Sequence, residues 1–167
     1  MGDEELAAPG DLEHLRRFVN TRDLELGTDL LASPDDLARW LGVDRAGENE
    51  FRRAIALREA FRALLVSNAT GAPPPVAASQ TIAAVGRRAA LRVDGDLRLA
   101  ASGLERLLAI AVIAQVDGTW RRLKACPGES CQWVLYDRTR SRTRTWCAAA
   151  KCGARTRSRE YRRRQRT

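Results

Sequence analysis

The sequence predicts an α+β chain that is mainly α with a small β-hairpin: a helical N-terminal unit followed by a small four-cysteine module. Three observations indicate this fold class. Apolar residues recur at helical spacing over much of the first 118 residues, the spacing changes to two around Asp94-Gly95, and every cysteine lies beyond that region. With 167 residues, 44% of them apolar, the chain is long enough to form one or two small domains with a core.

The helices are predicted from apolar spacing and from residues that start or stop a helix. Leu12, Leu15 and Phe18 share one stripe of the first, and Ser33 with Pro34 is a typical start for the second. A glycine and proline-rich loop should end the third. The four helices expected before the hairpin cover residues 11–20, 34–42, 48–68 and 77–90.

The hairpin is predicted over residues 91–99, because Asp94-Gly95 suits a tight turn between alternating strands. Ser102 and Glu105 form a capping box before the next helix, which is apolar nearly all round, so we expect it to be the central buried helix. We place a domain boundary near Gly118, giving units 1–118 and 119–167, because the composition changes there.

Charge separates the two units and limits the function classes. The first carries 14 basic and 18 acidic residues, whereas the second carries 15 basic and 3 acidic residues and favours a polyanionic partner.

The longest apolar run has eight residues, too short for a membrane span, and the acidic N-terminus lacks a signal pattern, so we expect a cytoplasmic protein. One histidine and no nucleophile elbow, phosphate loop or paired carboxylates argue against an enzyme.

The cysteines form two C-x4-C pairs separated by fifteen residues: Cys126, Cys131, Cys147 and Cys152. Two close pairs with such a spacer are typical of a structural Zn²⁺ site in which four thiolates leave no open position. Two disulfides, a redox dithiol or unligated thiols are the alternatives. A strand over 132–136, a returning strand over 143–146 and a helix from Cys152 through Tyr161 would make the module treble-clef-like.

Arginines of this module form two sets. One set alternates and would project from one side of an extended chain, and the other recurs at helical spacing. Guanidinium groups bind phosphate bidentately, so both sets are candidate nucleic-acid contacts, with a solvated charged face as the alternative. The candidates are Arg138, Arg140, Arg142, Arg144, Arg155, Arg159, Arg162 and Arg163.

Asn20, Thr21 and Arg22, at the end of the first helix, are a candidate small-ligand site. The alternative is that Asn20 and Thr21 satisfy the last carbonyls of that helix.

The strings Cys131-Gln132-Trp133, Tyr136-Asp137, Trp146-Cys147 and Cys152-Gly153-Ala154-Arg155 resemble the CGNR-type zinc finger. The strings Phe18-Val19-Asn20-Thr21 and Ser33-Pro34, with Leu57-Arg58-Glu59-Ala60 and the Asp94-Gly95 hairpin, resemble the ABATE domain that precedes this finger in a family regarded as stress-related bacterial transcription regulators. The resemblance implies that the four cysteines are the zinc ligands and that Arg155 matches the terminal Arg of the motif. Ala154 departs from the Asn of the motif.

These observations together predict a zinc-dependent DNA-binding regulator whose N-terminal unit senses a small-molecule effector or forms a homodimer. An RNA- or ribosome-associated zinc module and a thiol redox sensor that releases zinc on oxidation are the alternatives.

Overall fold

The computed structural model describes residues 3–87, 92–94, 96–98 and 103–166. Its helices are α1 (Asp3–Leu6), α2 (Leu12–Val19), α3 (Pro34–Leu41), α4 (Glu48–Thr70), α5 (Val76–Gly86), α6 (Gly103–Val116) and α7 (Ala154–Arg164). Its strands are β1 (Arg22–Asp23), β2 (Thr28–Asp29), β3 (Arg92–Asp94), β4 (Asp96–Arg98), β5 (Leu123–Ala125) and β6 (Val134–Tyr136). A 3₁₀ turn covers Trp120–Arg122 and a π-helical turn covers Ala149–Gly153. None of the described helices is both long and apolar enough to cross a bilayer.

The chain is mainly helical, with short antiparallel hairpins, as predicted. The start of α3 follows the sequence signal, because the Ser33 hydroxyl accepts a hydrogen bond from the Asp36 backbone N–H at 3.2 Å and Pro34 occupies the first turn. Gly42 ends this helix in the left-handed conformation, with φ of 68°. The α5 helix begins where expected, whereas residues 88–90 of the predicted helix lie outside the described residues.

The main core lies between α2, α4 and α6, where Leu15, Phe18, Leu57, Phe61 and Leu107 are buried. The helix predicted to be the central buried helix is α6, whose Leu104, Leu107 and Ile110 are buried. It is not buried on every side: Val112, Ile113 and Val116 are 60%, 60% and 86% exposed, and its main contacts within the described residues are with α2, α5 and the 3₁₀ turn.

The predicted hairpin is present in the backbone, where β3 pairs antiparallel with β4 and Val93 lies opposite Leu97. Its side chains, with Leu91 and Leu99 and the Ser102 cap, lie outside what the structure describes.

The hairpin of the cysteine module differs from the prediction. The strand β6 pairs with β5, which precedes the first cysteine, rather than with a strand over 143–146. Residues 143–146 form no strand, and within them the side chains of Lys124 and Asp137 bind the backbone C=O and N–H of Arg144.

A single hydrophobic cluster continues across Gly118. Trp120, Leu123 and Val134 belong to the same buried cluster as Leu57 and Phe61 of α4. The division of the chain at Gly118 stays a prediction, because buried residues on both sides of it pack in one cluster.

Candidate metal centre and its surroundings

The four cysteine sulfurs lie within 4.8 Å of one another, and all four side chains are buried. Cys126 directly follows β5, and the Cys131 backbone N–H donates to the Gly128 carbonyl at 2.8 Å, which closes the turn between the first pair. Cys147 ends the loop after β6. Cys152 lies in the π-helical turn, where its N–H donates to the Ala148 carbonyl at 2.8 Å. Two turns therefore present two sulfurs each to one point.

The donor set fits a tetrahedral thiolate-bound metal. The Cys147 sulfur lies 3.5 Å from those of Cys131 and Cys152, and the cysteines are not in disulfides. Four sulfurs about 2.3 Å from one Zn²⁺ are separated by about 3.8 Å, close to these distances and far from a bonded S–S pair of about 2.0 Å.

Proton sharing among the sulfurs also favours a cation. A hydrogen bond from Cys131 lowers the pKa of Cys126. The same bond raises the pKa of Cys131, and the Cys126 sulfur likewise raises the pKa of Cys147. A second thiolate beside the first is thus strongly disfavoured unless a positive ion compensates the charge.

Apolar side chains surround the cysteines. Leu6 of α1 and Leu135 of β6 are buried against them, and Trp133 and Trp146 pack on the same cluster. Tyr136 of β6, in contrast, belongs to the main core. Gly153 lies against Trp146, since a Cβ at this glycine would lie 3.3 Å from Cδ1 of the ring.

A buried ion pair organises the loop between the cysteine pairs. The Lys124 ammonium donates to an Asp137 carboxylate oxygen at 2.8 Å and to the carbonyls of Arg142 and Arg144. Asp137 also accepts from the N–H groups of Thr139 and Arg144, both at 2.9 Å. Although burial opposes this charge, the hydrogen bonds from Lys124 and Thr139 lower the pKa of Asp137. The pair therefore fixes the loop that leads to Cys147.

Side chains of the helical unit hold the strand after Cys131. The Asn20 amide donates to the Val134 carbonyl at 3.0 Å and accepts from the Val134 N–H at 2.8 Å, so it pairs with β6 as a neighbouring strand would. Arg62 donates to the Gln132 carbonyl at 3.0 Å, and Arg16 to the Val134 carbonyl at 3.3 Å. The metal centre is thereby attached to α2 and α4.

The candidate ligand site at Asn20, Thr21 and Arg22 has another role in the structure. Asn20 binds β6, and the buried Thr21 hydroxyl donates to the Phe18 carbonyl and accepts from Arg58. The Arg22 carbonyl accepts from Arg62. The contact of Thr21 with Phe18 is the one that the helix-end interpretation anticipated, and the small-ligand site stays a prediction.

The alternating arginines do not form a row. Residues 137–146 are in no strand, and Arg142 has a positive φ of 57°, so the extended geometry behind that prediction is wrong. Arg138 lies 6.0 Å from the Tyr136 ring centre and donates to the Ala7 carbonyl. Arg144 donates to the Cys147 carbonyl at 3.0 Å and to Glu5. Arg140 is exposed.

The second arginine set does lie on one helix. The α7 helix begins two residues after Cys152 and carries Arg155, Arg159, Arg162 and Arg163. The last three of these are exposed, whereas Arg155 donates to Glu25 at 2.8 Å and to Ser130 at 3.2 Å. Lys151 also donates to Glu25, at 3.0 Å. The Glu25 carboxylate, from the β1–β2 loop, therefore binds two cations that flank Cys152 in sequence.

Sequence reasoning missed the residues that position this centre: Lys124, Asp137, Asn20 and Arg62. Asp137 was noted only as part of a family motif. An acid directly after a strand, together with a lysine in the strand before it, was the one local signal that could have indicated a pair.

A hairpin, two cysteine turns and a helix gathered at one thiolate site define a metal-binding zinc-finger module, and residues 122–165 match the CGNR zinc finger. Residues 14–118 match the family described as "ABATE: Putative stress-induced transcription regulator". The chain belongs to the ABATE family and carries its CGNR zinc finger after that domain. No curated protein matches the chain.

Proposed function

We propose that the protein is a zinc-dependent, DNA-binding transcription regulator that acts in the cytoplasm and catalyses no reaction. The observation that carries the proposal is that α7, with its exposed arginines, begins two residues after Cys152 of the cysteine cluster. Four thiolates on Zn²⁺ would fix the start of this helix relative to the hairpin. The helix is then a rigid rod of guanidinium groups, which fits the regular phosphates of a nucleic acid.

Electrostatics of the two units support the same partner. The second unit has fifteen basic and three acidic residues, and four bound thiolates on Zn²⁺ contribute only two negative charges. Tyr161, which is 65% exposed among the arginines of α7, supplies an aromatic ring that can contact a sugar or a base.

The proposal is tested by fluorescence anisotropy of the zinc-loaded full chain with duplex DNA across a salt series. Each phosphate contact contributes about −0.9 to the slope of log affinity against log salt, so Arg159→Ala, Arg162→Ala and Arg163→Ala together should make the slope shallower by about three. The matched control replaces Arg17, Arg39 and Arg52 by alanine and so removes the same charge. These side chains are 70%, 77% and 68% exposed and lie on other helices. Equal losses in both triple variants would contradict a role for α7.

The same experiment separates DNA from RNA. If structured RNA competes better than duplex DNA, the protein is an RNA-associated zinc module and the proposal of a DNA-binding regulator is wrong.

The thiol-sensor alternative has one supporting feature, a cleft of about 200 Å³ that reaches Cys131, Cys147 and Cys152. Reversible zinc release by peroxide, followed with a chromogenic chelator, would establish it, and a site that survives excess peroxide would exclude it.

For the helical unit we propose homodimer formation through α6 and sensing of a small effector. The exposed Val112, Ile113 and Val116 support the first role, because they form an uncharged strip on one helix. Sedimentation equilibrium tests it: Val112→Arg should shift a dimer to monomer, and Gln115→Arg, at an exposed polar position of the same helix, should not.

A further inference from the structure

An open cleft of about 700 Å³ lies where the two matched regions of the chain meet. One wall is the C-terminal part of α4 with the proline-rich loop that follows it, and the other wall is the 3₁₀ turn and the loop between the cysteine pairs. The volume is that of a typical small-molecule site. Residues that define it are Asn68, Pro74, Ser79, Trp120, Arg121 and Arg142.

The cleft is positively charged. Among the described residues, its lining includes Arg121, Lys124 and Arg142 and no acidic residue. The Lys124 ammonium is compensated by Asp137 at 2.8 Å. The two arginine side chains are exposed, and within the described part of the chain their guanidinium groups have no hydrogen bond or ion pair. Two uncompensated guanidinium groups at one cleft favour an anion.

The remaining lining is mixed in the way that small-molecule sites usually are. Leu64, Pro73, Pro74 and Trp120 supply apolar surface, and the hydroxyl groups of Ser67 and Ser79 supply polar atoms. An inorganic anion alone would leave the apolar surface uncovered. The lining therefore fits a molecule with an anionic group and an apolar body.

Both walls are held in place by hydrogen bonds, and those from Asn68 cross between the units. The Asn68 amide donates to the carbonyls of Trp120 and Leu123, both at 3.0 Å. Lys124 donates to the Arg142 carbonyl at 2.7 Å and so holds a residue whose φ of 57° is unfavourable for arginine. Backbone held in such a conformation is typical of positions that present a side chain for binding.

We infer that this cleft binds a small organic anion, with its carboxylate, sulfonate or phosphate group between Arg121 and Arg142 and its apolar body against Trp120 and Pro74. The inference deepens the sensing role proposed above by placing the effector where α4 meets the cysteine module. Binding at this cleft requires neither DNA nor a dimer, so its failure and the failure of the DNA-binding proposal are separate results.

The test is a titration of the zinc-loaded full chain with 8-anilinonaphthalene-1-sulfonate, which has a sulfonate and apolar rings, followed by dye fluorescence. We expect saturable binding to one site. Arg142→Ala should weaken it about tenfold, the effect of one charge-assisted hydrogen bond. Arg140→Ala, an exposed arginine two residues away in the same loop and outside the cleft lining, is the matched control and should bind as the natural chain does.

Arg121→Ala gives a second, independent measurement from the 3₁₀ turn of the same wall, in case one variant folds poorly, and near-ultraviolet circular dichroism checks the fold of each. Benzoate and inorganic phosphate serve as competitors, and we expect benzoate to displace the dye better. The inference is overturned if binding is not saturable, if all three arginine variants bind alike, or if duplex DNA displaces the dye while benzoate does not.

Discussion

Removing the Asn20 side chain is the sharpest test of how the metal centre is attached to the helical unit. Its amide makes both hydrogen bonds of a strand partner to Val134, at 2.8 and 3.0 Å, and Val134 is fully buried. In Asn20→Ala the Val134 carbonyl still accepts a hydrogen bond from Arg16 at 3.3 Å, whereas the buried Val134 N–H loses its acceptor. Two lost hydrogen bonds, one of which leaves a buried donor unsatisfied, should lower the free energy of unfolding by about 2–4 kcal/mol.

Urea unfolding of the zinc-loaded chain measures this change, with Asn49→Ala as the control. Asn49 is exposed and accepts one hydrogen bond from Arg52, so its replacement should cost less than about 0.5 kcal/mol. Because Val134 lies three residues after Cys131, zinc loss to a chromogenic chelator should also be faster in Asn20→Ala. A free energy of unfolding within about 0.5 kcal/mol of the natural chain would refute the reasoning.

Three further predictions follow from single contacts. Gly153→Ala should weaken zinc retention, because the new Cβ would lie 3.3 Å from the Trp146 ring and displace it, and chelator competition measures it. Glu25→Gln should strengthen DNA binding and steepen the salt slope by about one, because it releases Arg155 for a phosphate, as anisotropy would show. Asp29→Asn should cost about 1.5–3 kcal/mol at pH 7, since two 2.7 Å hydrogen bonds from the buried Arg58 lose their charged acceptor.

The pH dependence of the last variant has a definite sign. Although burial opposes the charge of Asp29, its hydrogen bonds from Arg58 lower the pKa of this carboxyl in the folded chain. Its stabilising contribution is therefore complete above the unfolded pKa of about 3.9 and is lost as pH falls through the lower folded value. The difference between the natural chain and Asp29→Asn should shrink over that range, and a constant difference would contradict the assignment.

Gly153→Ala and Glu25→Gln each have a matched control variant in the cysteine module. Gly128→Ala places a Cβ 3.6 Å from the Cys131 Cβ, an ordinary contact, and should retain zinc. Glu129→Gln removes a carboxylate that is 92% exposed and 3.6 Å from Arg159, so it should affect DNA affinity less than Glu25→Gln. Equal effects within either pair would contradict the corresponding contact.

Elements with local causes could be predicted from the sequence. Ser33 and Pro34 begin α3 and Gly42 ends it because capping depends on residues within one turn. The β3–β4 backbone pairing follows from the turn at Asp94-Gly95. The exposure of one side of α6 could not be predicted the same way. An apolar composition does not show how many elements pack against a helix, and in the structure Val112 and Val116 remain exposed.

By itself the sequence determined the chemistry of this protein: four thiolates in two close pairs, a helix rich in guanidinium groups after them, and the capped helices before them. Only the tertiary structure decided that β6 pairs with β5 and that residues 143–146 form no strand. It also decided that Asn20 hydrogen-bonds to Val134, which is 114 residues away in the sequence. The physical reason is range. Helix spacing, caps and cysteine turns involve neighbouring residues, whereas buried polar groups such as Lys124 and Asp137 find their partners only when distant segments pack together.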